Sequence, residues 1–499
     1  MLEAALAGLS GIFRPDVFLL MLVAIFIGNI VGFLPGIGGN FLLAILIPFT
    51  FGMEPLQGFA FLLGAHAVIG TGSAISAILF NTPGSGNSAA TVLDGYPLAQ
   101  QGQGGRAVGA SLSASGIGGV VGAFALIAII PIMRPIVLSF GPPEFFMLTM
   151  LGISFIATLS GRNVAKGLMV GGLGLMVSMV GTDPSTGIVR FGMGQLYLTD
   201  GLELVPVVVG LFAVSEMIAL GVRGGSIAQQ VATVGGDVWQ GLLDTFRHIG
   251  LTIRASIIGV FIGFLPGLGG DAAGWFTYGH AVQTSKHPER FGKGAIEGVI
   301  APEAANNSKE GGALIPTVGF GVPGSSGMAI LLGAFIILGV APGPKMLTEY
   351  LHVTFSMAWV LAIANIIGVA FGLLLANPLA KLTYLPVPYI VPVIMTFATL
   401  GAYSTSRDYG DLVVALLFGL GGYAMSKYRY PKAPLILGLI LGEIAEINLH
   451  ISYTLFGLGF LLRPITLILL LATLAAIFYT PVKSLLRREA PATESEVEA

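Results

Sequence analysis

Long apolar stretches recur from one end of this chain to the other. Because about 20 consecutive apolar residues span a bilayer as a helix, they predict an all-α polytopic membrane protein with about 12 membrane segments. Only 10% of the residues are charged, whereas soluble domains carry about 25%. The stretches lie near residues 17–34, 56–80, 107–131, 143–160, 164–181, 201–220, 250–265, 325–341, 354–376, 387–402, 410–426 and 451–480.

Two sequence motifs occur twice in the chain. The octapeptide GFLPGIGG at residues 32–39 returns as GFLPGLGG at residues 263–270. Further along, NTPGSGNSA at residues 81–89 is matched by GVPGSSGMA at residues 321–329. Because the motifs follow in the same order in both halves, they indicate an internal duplication.

The distribution of basic residues bears on how the two copies face the membrane. The loop KYRYPK at residues 427–432 is strongly basic, but its first-half counterpart GTDPSTG at residues 181–187 is not. The basic loop around Arg162 and Lys166 has a counterpart that also carries acidic residues. Since basic loops stay on the cytoplasmic side, the opposite character of each pair predicts two inverted-topology repeats.

The duplication also predicts the domain organisation. A polar segment separates the two halves, and the tail begins basic and ends acidic, which is typical of a disordered cytoplasmic end. The predicted units are a first transmembrane repeat at 15–220, a cytoplasmic linker at 221–249, a second transmembrane repeat at 250–480 and a cytoplasmic tail at 481–499. The N-terminus lacks a basic leader, so we expect it to be retained.

Each repeat contains two helix breakers within apolar sequence, which predicts broken or re-entrant helices. They are Pro35-Gly36 and Pro83-Gly84 in the first repeat, and Pro266-Gly267 and Pro323-Gly324 in the second. A single break of this kind could be a packing kink, but duplicated breaks point to the binding site of a transporter. A half-helix that starts at a break presents free N–H groups and a positive dipole end, so it can bind an anion without a buried arginine.

The candidate substrate-binding residues are the small residues at these four breaks, which we expect to meet near the midplane of the membrane. They are Gly36, Gly38, Gly39, Asn40, Thr82, Pro83, Gly84, Ser85, Gly86, Asn87, Ser88, Gly267, Gly269, Gly270, Pro323, Gly324, Ser325 and Ser326. The candidate residues for a coupling cation such as sodium are Asp271, Asn306 and Asn307, although Asp271 could equally be a helix cap.

The polar stretch APEAANNSKEGGALIP at residues 301–316 lies between apolar runs and has two interpretations. Its charges could lie inside the bilayer, where charged residues are costly and usually functional. It could also be a solvated loop before a re-entrant segment. The residues concerned include Glu303, Lys309 and Glu310.

Three single residues have simpler expected roles. His66 lies inside an apolar run, so a neutral packed histidine is favoured over a proton relay. Asp94 in VLDGYP is expected to be a turn residue. Arg106 could neutralise a substrate carboxylate at the mouth of a cavity or anchor a loop as a positive-inside residue.

Other functions find less support in the sequence. GASL at residues 109–112 would make Ser111 the nucleophile of an intramembrane hydrolase, but a serine needs an adjacent base. An anion channel is a further alternative. The chain has no cysteine, no Walker A motif and no basic patch for nucleic acid. We therefore predict no catalytic residue, metal site, cofactor or nucleic-acid partner.

The repeated motifs, together with APEAANNSKEGGALIPTVGF and GVAPGPKML, resemble the large membrane subunit of the tripartite tricarboxylate transporters. The resemblance extends from residue 15 to residue 480. It implies import of a tricarboxylate, dicarboxylate or related organic acid across the bacterial inner membrane, driven by a gradient of Na⁺ or H⁺. It also implies two partners, a small four-helix membrane subunit and a periplasmic solute-binding protein. Movement by an elevator or a rocking motion stays open.

Overall fold

The computed structural model describes residues 1–34, 38–154, 164–183, 186–223, 237–265, 269–382 and 387–475, which are mostly helical. The first described helices are α1 (Leu2–Ile12), α2 (Pro15–Phe33), α3 (Gly39–Leu46), α4 (Pro55–Phe80), α5 (Val92–Leu98), α6 (Gly104–Leu138), α7 (Pro142–Ser154), α8 (Val164–Ser178) and α9 (Leu204–Arg223). They are followed by α10 (Val238–Arg247), α11 (Ile249–Phe264), α12 (Gly269–Thr284), α13 (Glu297–Phe320), α14 (Ser326–Ile337), α15 (Leu351–Leu382), α16 (Val387–Tyr403), α17 (Tyr409–Lys427), α18 (Ala433–Phe456) and α19 (Pro464–Ala475). Two short strands, β1 (Gly181–Thr182) and β2 (Val189–Arg190), pair antiparallel.

The apolar helices confirm the predicted class, an all-α membrane protein. Seven described helices are long and apolar enough to cross a membrane, and α10 with α11 gives an eighth if this pair, bent by 78°, is one span. The predicted number of about 12 segments stays a prediction, because α3, α8, α14, α16 and α19 are shorter than the roughly 20 residues of a full span.

The helix packing is similar in the two halves of the chain. In the first half α4 lies along α2, and in the second half α13 lies along α11. The longest helices then cross between halves, since α4 also packs on α15 and α13 packs on α6. Further out, α18 packs on α7 and α8, while α9 packs on α16 and α17. Each of these contacts has a counterpart in the other half, so the halves interlock. Their opposite orientation in the membrane stays a prediction.

Matched glycines allow the closest of these helix contacts. Gly32 on α2 lies against the backbone of Ile69 on α4, and Gly263 on α11 lies against the backbone of Lys309 on α13. In both places a Cβ atom would overlap a carbonyl oxygen. Small residues at a helix interface permit such an approach in membrane proteins, so the two glycines fix how near α4 and α13 lie to their partners.

The last part of the predicted linker is helical. The carboxylate of Asp237 accepts hydrogen bonds from the backbone N–H groups of Trp239 (2.9 Å) and Gln240 (3.3 Å), which caps α10. On the other side of this helix the Thr245 hydroxyl donates to the carbonyl of Ala110 on α6 (3.1 Å). The segment from 237 onwards is thus docked on the first half of the chain, and the proposed domain boundaries stay predictions.

Replacing Gly263 with alanine is expected to destabilise the protein, because the new methyl group would overlap the Lys309 carbonyl. Overpacking of this kind costs about 1–3 kcal/mol. Gly421 on α17 has no atom within 4 Å of the position that a Cβ would take, so Gly421→Ala is the matched control. The measurement is the thermal denaturation midpoint of the purified protein in detergent. Equal midpoints for the two variants would contradict the packing argument.

Candidate functional site

Both octapeptides interrupt a helix, as the sequence predicts. In the first repeat α2 ends at Phe33 and α3 begins at Gly39, after the extended backbone of Gly38. In the second repeat α11 ends at Phe264 and α12 begins at Gly269. Gly270 and the backbone of Asp271 belong to the first turn of α12. The predicted site residues Gly36 and Gly267 and the side chain of Asp271 lie outside the described residues.

The second pair of breaks also has matching geometry. The residue that follows α4, Asn81, has a φ of 56°, and the residue that follows α13, Gly321, has a φ of 67°. This left-handed conformation commonly terminates helices and favours glycine or asparagine. In the second repeat the Ser325 hydroxyl accepts from the Met328 N–H (3.3 Å) and caps α14. In the first repeat a short 3₁₀ turn, Gly86–Ser88, follows the break.

Two of the predicted site glycines are required for packing. A Cβ at Gly84 would overlap the carbonyl oxygen of Gly32, and a Cβ at Gly324 would lie 2.6 Å from that of Gly263. In each half of the chain, the second Pro-Gly break therefore packs against the C-terminal end of the helix that precedes the first break. These two glycines would be needed for the fold whether or not a ligand binds nearby.

Some backbone N–H groups at the breaks already donate hydrogen bonds within the protein. The Ser85 N–H donates to the Ser73 hydroxyl (2.8 Å), and the Gly324 N–H lies 3.4 Å from the Thr317 hydroxyl that accepts its hydrogen bond. Hydroxyls on the preceding helices thus satisfy part of the interrupted backbone. Among the other predicted residues, Thr82 and Gly86 are exposed and Pro323 is buried.

The starts of α3 and α14 lie side by side. The Asn40 amide donates to the Ser326 hydroxyl (3.0 Å), and the same hydroxyl lies 3.3 Å from the Asn40 carbonyl oxygen. A Cβ at Gly38 would also contact Ser85, at 3.9 Å. The structure thus brings together three of the four predicted breaks at this point. The helix that follows the fourth break, α12, packs on the turn Gly86–Ser88, where a Cβ at Gly274 would lie 3.1 Å from the Asn87 carbonyl oxygen.

The imidazole of His66 lies where these two half-helices begin. A Cβ at Gly39 would lie 3.3 Å from its Nδ1 atom, and a Cβ at Gly327 would lie 2.6 Å from its Cε1 atom. Nε2 lies 3.2 Å from a carboxylate oxygen of Glu310. Nδ1 is buried without a hydrogen-bond partner in the described part of the chain. One ring nitrogen is therefore fixed while the other is available beside both helix starts.

A polar stripe runs along one face of α13. Glu303, Asn306, Asn307 and Glu310 follow the spacing i, i+3, i+4 and i+7, which places them on one side of a helix. All four are buried, with at most 6% of each residue exposed. The interpretation of this stretch as a solvated loop is wrong, because α13 is a continuous helix packed between α6, α11 and α12.

Asn307 joins three of the central helices. Its amide nitrogen lies 2.9 Å from the Thr71 hydroxyl on α4 and 2.5 Å from the amide oxygen of Asn365 on α15. Asn365 in turn donates to the carbonyl of Leu361 in its own helix (2.8 Å). The predicted coupling-ion residue Asn307 is thus held in a network that crosses from one repeat to the other.

Asn306, the other described coupling-ion candidate, contacts the second break of the first repeat. Its amide nitrogen donates to the Ser88 hydroxyl (3.3 Å) and to a carboxylate oxygen of Glu303 (3.3 Å). The side-chain oxygen of Asn306, Oδ1, is buried without a hydrogen-bond partner among the described atoms. Two predicted residues from different repeats, Ser88 and Asn306, therefore meet directly.

Lys309 and Glu310 form a buried ion pair next to His66. The ammonium of Lys309 lies 2.5 Å from one carboxylate oxygen of Glu310, whose other oxygen faces the imidazole. The three groups carry no net charge when the imidazole is neutral and a net charge of plus one when it is protonated. His66 is packed and buried, as the sequence favours, and its imidazole also contacts the carboxylate of this ion pair.

Asp94 is not a turn residue, contrary to the expectation from VLDGYP. It lies in α5, is fully buried, and accepts hydrogen bonds from the N–H groups of Gly294 and Ala295, each at 2.8 Å. The Tyr278 hydroxyl donates to its other oxygen (3.0 Å). The local sequence resembles a turn, but the carboxylate accepts hydrogen bonds from residues that are distant in sequence. It thereby anchors the segment that leads into α13.

The structure shows the surroundings of Arg106 and Ser111, two further residues considered in the sequence. The Arg106 guanidinium pairs with Asp244 on α10 at 2.5 Å and donates to Gln103 at 2.8 Å. The Ser111 hydroxyl is buried and has no hydrogen-bond partner among the described residues. A nucleophilic serine needs a hydrogen-bonded base, so the hydrolase alternative gains no support.

Several residues of this site were not predicted as functional from the sequence. The sequence marks Glu303 and Glu310 only as charges that could lie inside the bilayer, although their helical spacing with Asn306 and Asn307 already indicates one shared face. Asn365 is a lone amide within an apolar run, and Thr71 and Ser115 are common residues of tightly packed membrane helices. Their roles emerge only when the helices are placed together.

Comparison with known proteins yields one family and two relatives. A family model described as the tripartite tricarboxylate transporter TctA family matches residues 18–437. An uncharacterized 52.8 kDa protein of the TAR-I ttuC' 3' region of Agrobacterium vitis is 34% identical over 428 residues, covering 86% of this chain and 85% of the relative. An uncharacterized protein of the TAR-II ttuC' 3' region of the same organism is 34% identical over 192 residues, covering 38% of this chain and 79% of that protein. No solved structure matches the chain.

Replacing Lys309 with methionine is expected to destabilise the protein strongly, because it removes the ammonium group from the buried Glu310 carboxylate. Breaking a buried pair in this way costs roughly 3–5 kcal/mol, whereas replacing both partners is often far less costly. We therefore expect the double variant Lys309→Met/Glu310→Gln to be more stable than Lys309→Met alone. Chemical unfolding in detergent micelles measures both. A double variant with the summed loss of the two single variants would contradict the pairing.

Proposed function

The chain belongs to the tripartite tricarboxylate transporter TctA family, and we propose that it is the large membrane subunit of a secondary transporter that imports a small carboxylate. The family match confirms the resemblance carried by the sequence motifs, and the apolar helices agree with a multi-pass membrane protein. The substrate class that we propose is a tricarboxylate, a dicarboxylate or a related organic acid.

The observation that carries the proposal is the meeting of two half-helix starts around a buried histidine. α3 and α14 begin at helix breaks, one from each repeat, and Asn40 and Ser326 touch between them. Helix N-termini bind anions through free N–H groups and the helix dipole. In transporters, half-helix ends that converge from two repeats typically form the substrate site.

The side chains at this point suit a carboxylate. The Ser326 hydroxyl and the Asn40 amide supply neutral donors, and the free Nδ1 atom of His66 can donate a further hydrogen bond when it carries a proton. Lys309 balances the Glu310 charge behind the imidazole, so a second anion is not repelled by an uncompensated carboxylate there. We propose that one carboxyl group of the substrate binds at this position.

The matched packing of the two halves supports alternating access. Secondary transporters with inverted repeats expose a midplane site to either side by moving one substructure against another. Here α4 of the first half packs on α15 of the second half, and α13 of the second half packs on α6 of the first half. We propose that these interfaces rearrange during transport, by an elevator or a rocking motion.

We propose the coupling and the partners on the basis of the family. A gradient of Na⁺ or H⁺ would drive uptake, a periplasmic solute-binding protein would deliver the carboxylate, and a small four-helix membrane subunit would complete the transporter. The setting would be the bacterial cell inner membrane. The name of the family, a tripartite transporter, supports an assembly of this kind.

The proposed transport can be tested in proteoliposomes that contain this chain and both partner subunits. We expect accumulation of labelled citrate, a C4-dicarboxylate or an aromatic acid under an imposed Na⁺ or H⁺ gradient, with saturation and counterflow. Dependence on the binding protein would follow from the tripartite assembly. Passive, unsaturable flux without counterflow would contradict a transporter and favour a channel.

Replacing Ser326 with alanine is expected to raise the substrate concentration needed for half-maximal uptake, because the variant lacks one donor to the carboxylate. Hydrogen bonds to charged groups contribute about 1.5–3 kcal/mol, which corresponds to roughly 10- to 100-fold in affinity. Ser139→Ala is the matched control, since Ser139 is exposed at the end of α6 and donates only to the Ile136 carbonyl. Unchanged uptake by Ser326→Ala would remove this residue from the site.

A further inference from the structure

Glu303 occupies the end of the α13 stripe that lies furthest from His66, in a buried polar pocket formed by the side chains of Thr91, Ser115, Ser88 and Asn306. We propose that this pocket binds the coupling cation, a sodium ion, with Glu303 as its anionic ligand and with Thr91, Ser115, Ser88 and Asn306 around it. This inference rests on the proposed function, because a coupling ion has a role only in a gradient-driven transporter.

The carboxylate of Glu303 is surrounded by hydroxyl groups from three segments of the first repeat. The Thr91 hydroxyl lies 2.5 Å from one carboxylate oxygen, and the Ser115 hydroxyl on α6 lies 3.3 Å from the other. The Ser88 hydroxyl is one hydrogen bond further, through the amide of Asn306. Five polar side chains therefore converge on one point between α5, α6 and α13.

No positive charge balances Glu303 within the described residues. The residue is fully buried, and it forms no ion pair with any described lysine, arginine or histidine, in contrast to Glu310 with Lys309 and Glu144 with Arg463. Buried charges in proteins are paired or coordinate metal ions. A bound cation would supply the charge that the described side chains do not.

A second observation points to the same ligand. The amide oxygen of Asn306 is a buried acceptor that has no described hydrogen-bond partner, although its nitrogen bonds to Glu303 and Ser88. Asn306 itself is only 2% exposed. A polar atom buried without a partner is costly. Turning the Asn306 amide by 180° would exchange its oxygen and nitrogen, so that the oxygen faces Glu303 and Ser88 and can act as a ligand of a cation bound there.

The chemistry of the pocket selects a hard, singly charged cation. Carboxylate, carbonyl and hydroxyl oxygens suit hard cations rather than soft transition metals, and no described group of three or more His, Asp and Glu side chains could hold a metal ion. With a single carboxylate, one monovalent ion makes the pocket neutral. Sodium fits this charge balance, whereas a divalent ion would leave an excess positive charge in the interior.

The pocket is connected to the proposed substrate site. Asn306 lies against Gly70 on α4, where a Cβ would be 2.8 Å from its amide nitrogen and 2.9 Å from the amide oxygen of Asn307. Gly70 is one helical turn from His66. Because Glu303 and Asn306 come from the second repeat and the hydroxyls from the first, the pocket is complete only when the two halves adopt this arrangement. Sodium binding would therefore stabilise one state of the transport cycle.

The inference can be tested by equilibrium binding of ²²Na⁺ to the purified full-length chain in detergent, without any carboxylate. We expect saturable binding to the wild type and a loss of affinity of at least about tenfold in Glu303→Gln, which removes the only anionic ligand. Glu144→Gln is the matched control, because Glu144 is a similarly buried carboxylate that is paired with Arg463. The Arg463 side chain is 39% exposed, so its guanidinium stays hydrated when the pair is broken and the variant avoids the cost of an unpaired buried charge. We expect it to bind ²²Na⁺ like the wild type.

A second variant tests the site independently, in case Glu303→Gln does not fold. Thr91→Val removes one hydroxyl and keeps the shape of the side chain, and we expect weaker ²²Na⁺ binding from a protein that still elutes as a single species from a size-exclusion column. Wild-type affinity in either folded variant would overturn the site, as would a wild-type protein that binds no ²²Na⁺ while its uptake responds to a proton gradient alone.

Parallel uptake measurements separate this inference from the proposed function. Carboxylate transport that is Na⁺-driven in the wild type and equally Na⁺-driven in Glu303→Gln would refute the cation site and leave the transporter intact. Conversely, ²²Na⁺ binding that depends on Glu303 in a protein that moves none of the tested carboxylates would retain the site and count against the proposed substrate class.

Discussion

The close approach of α6 and α11 to α13 is the contact on which the rest of this structure depends. Gly118 and Gly122 on α6 lie against the backbone of α13 at Ala304 and Ser308, and Gly263 on α11 does so at Lys309. Any larger side chain at these glycines would separate the helices. Because the helices touch, the polar face of α13 is kept away from lipid, where each unsatisfied group would cost several kcal/mol. The polar stripe and the functions proposed for it require this enclosure.

The two halves of the chain contain similar helix breaks with different side-chain chemistry. α4 and α13 end in the same left-handed geometry, at Asn81 and Gly321, and both are clamped by glycines of the preceding octapeptide helix. Nevertheless, the charged groups are concentrated in α13, whereas α4 contributes His66 and hydroxyls. The shared backbone thus creates the breaks, and the divergent side chains give the two copies unequal roles. One copy carries the ionic groups and the other faces them.

Glu303 and Glu310 on α13 show that the surroundings decide what one residue type does. Glu310 is balanced by Lys309 and contacts His66, so it organises the region where two half-helices begin. Glu303 lies two turns away among hydroxyls with no described counter-charge. In a low-dielectric interior these situations differ greatly in energy. The first cluster is complete by itself, while the second has the composition of a site that accepts a cation.

The sequence by itself determined the membrane class, the recurrence of the two motifs and the positions of the helix breaks, because apolar length, repeated motifs and Pro-Gly pairs are local properties of the chain. It also marked residues 301–316 as unusual, although whether they form a loop or a buried helix was open. Only the tertiary structure decided that question, since the helix is stabilised by partners far away in sequence. Likewise, the turn expected at Asp94 gave way to a long-range anchor, and the meeting of Asn40 with Ser326 joins residues 286 positions apart. Such pairings depend on how whole helices pack, which local patterns do not encode.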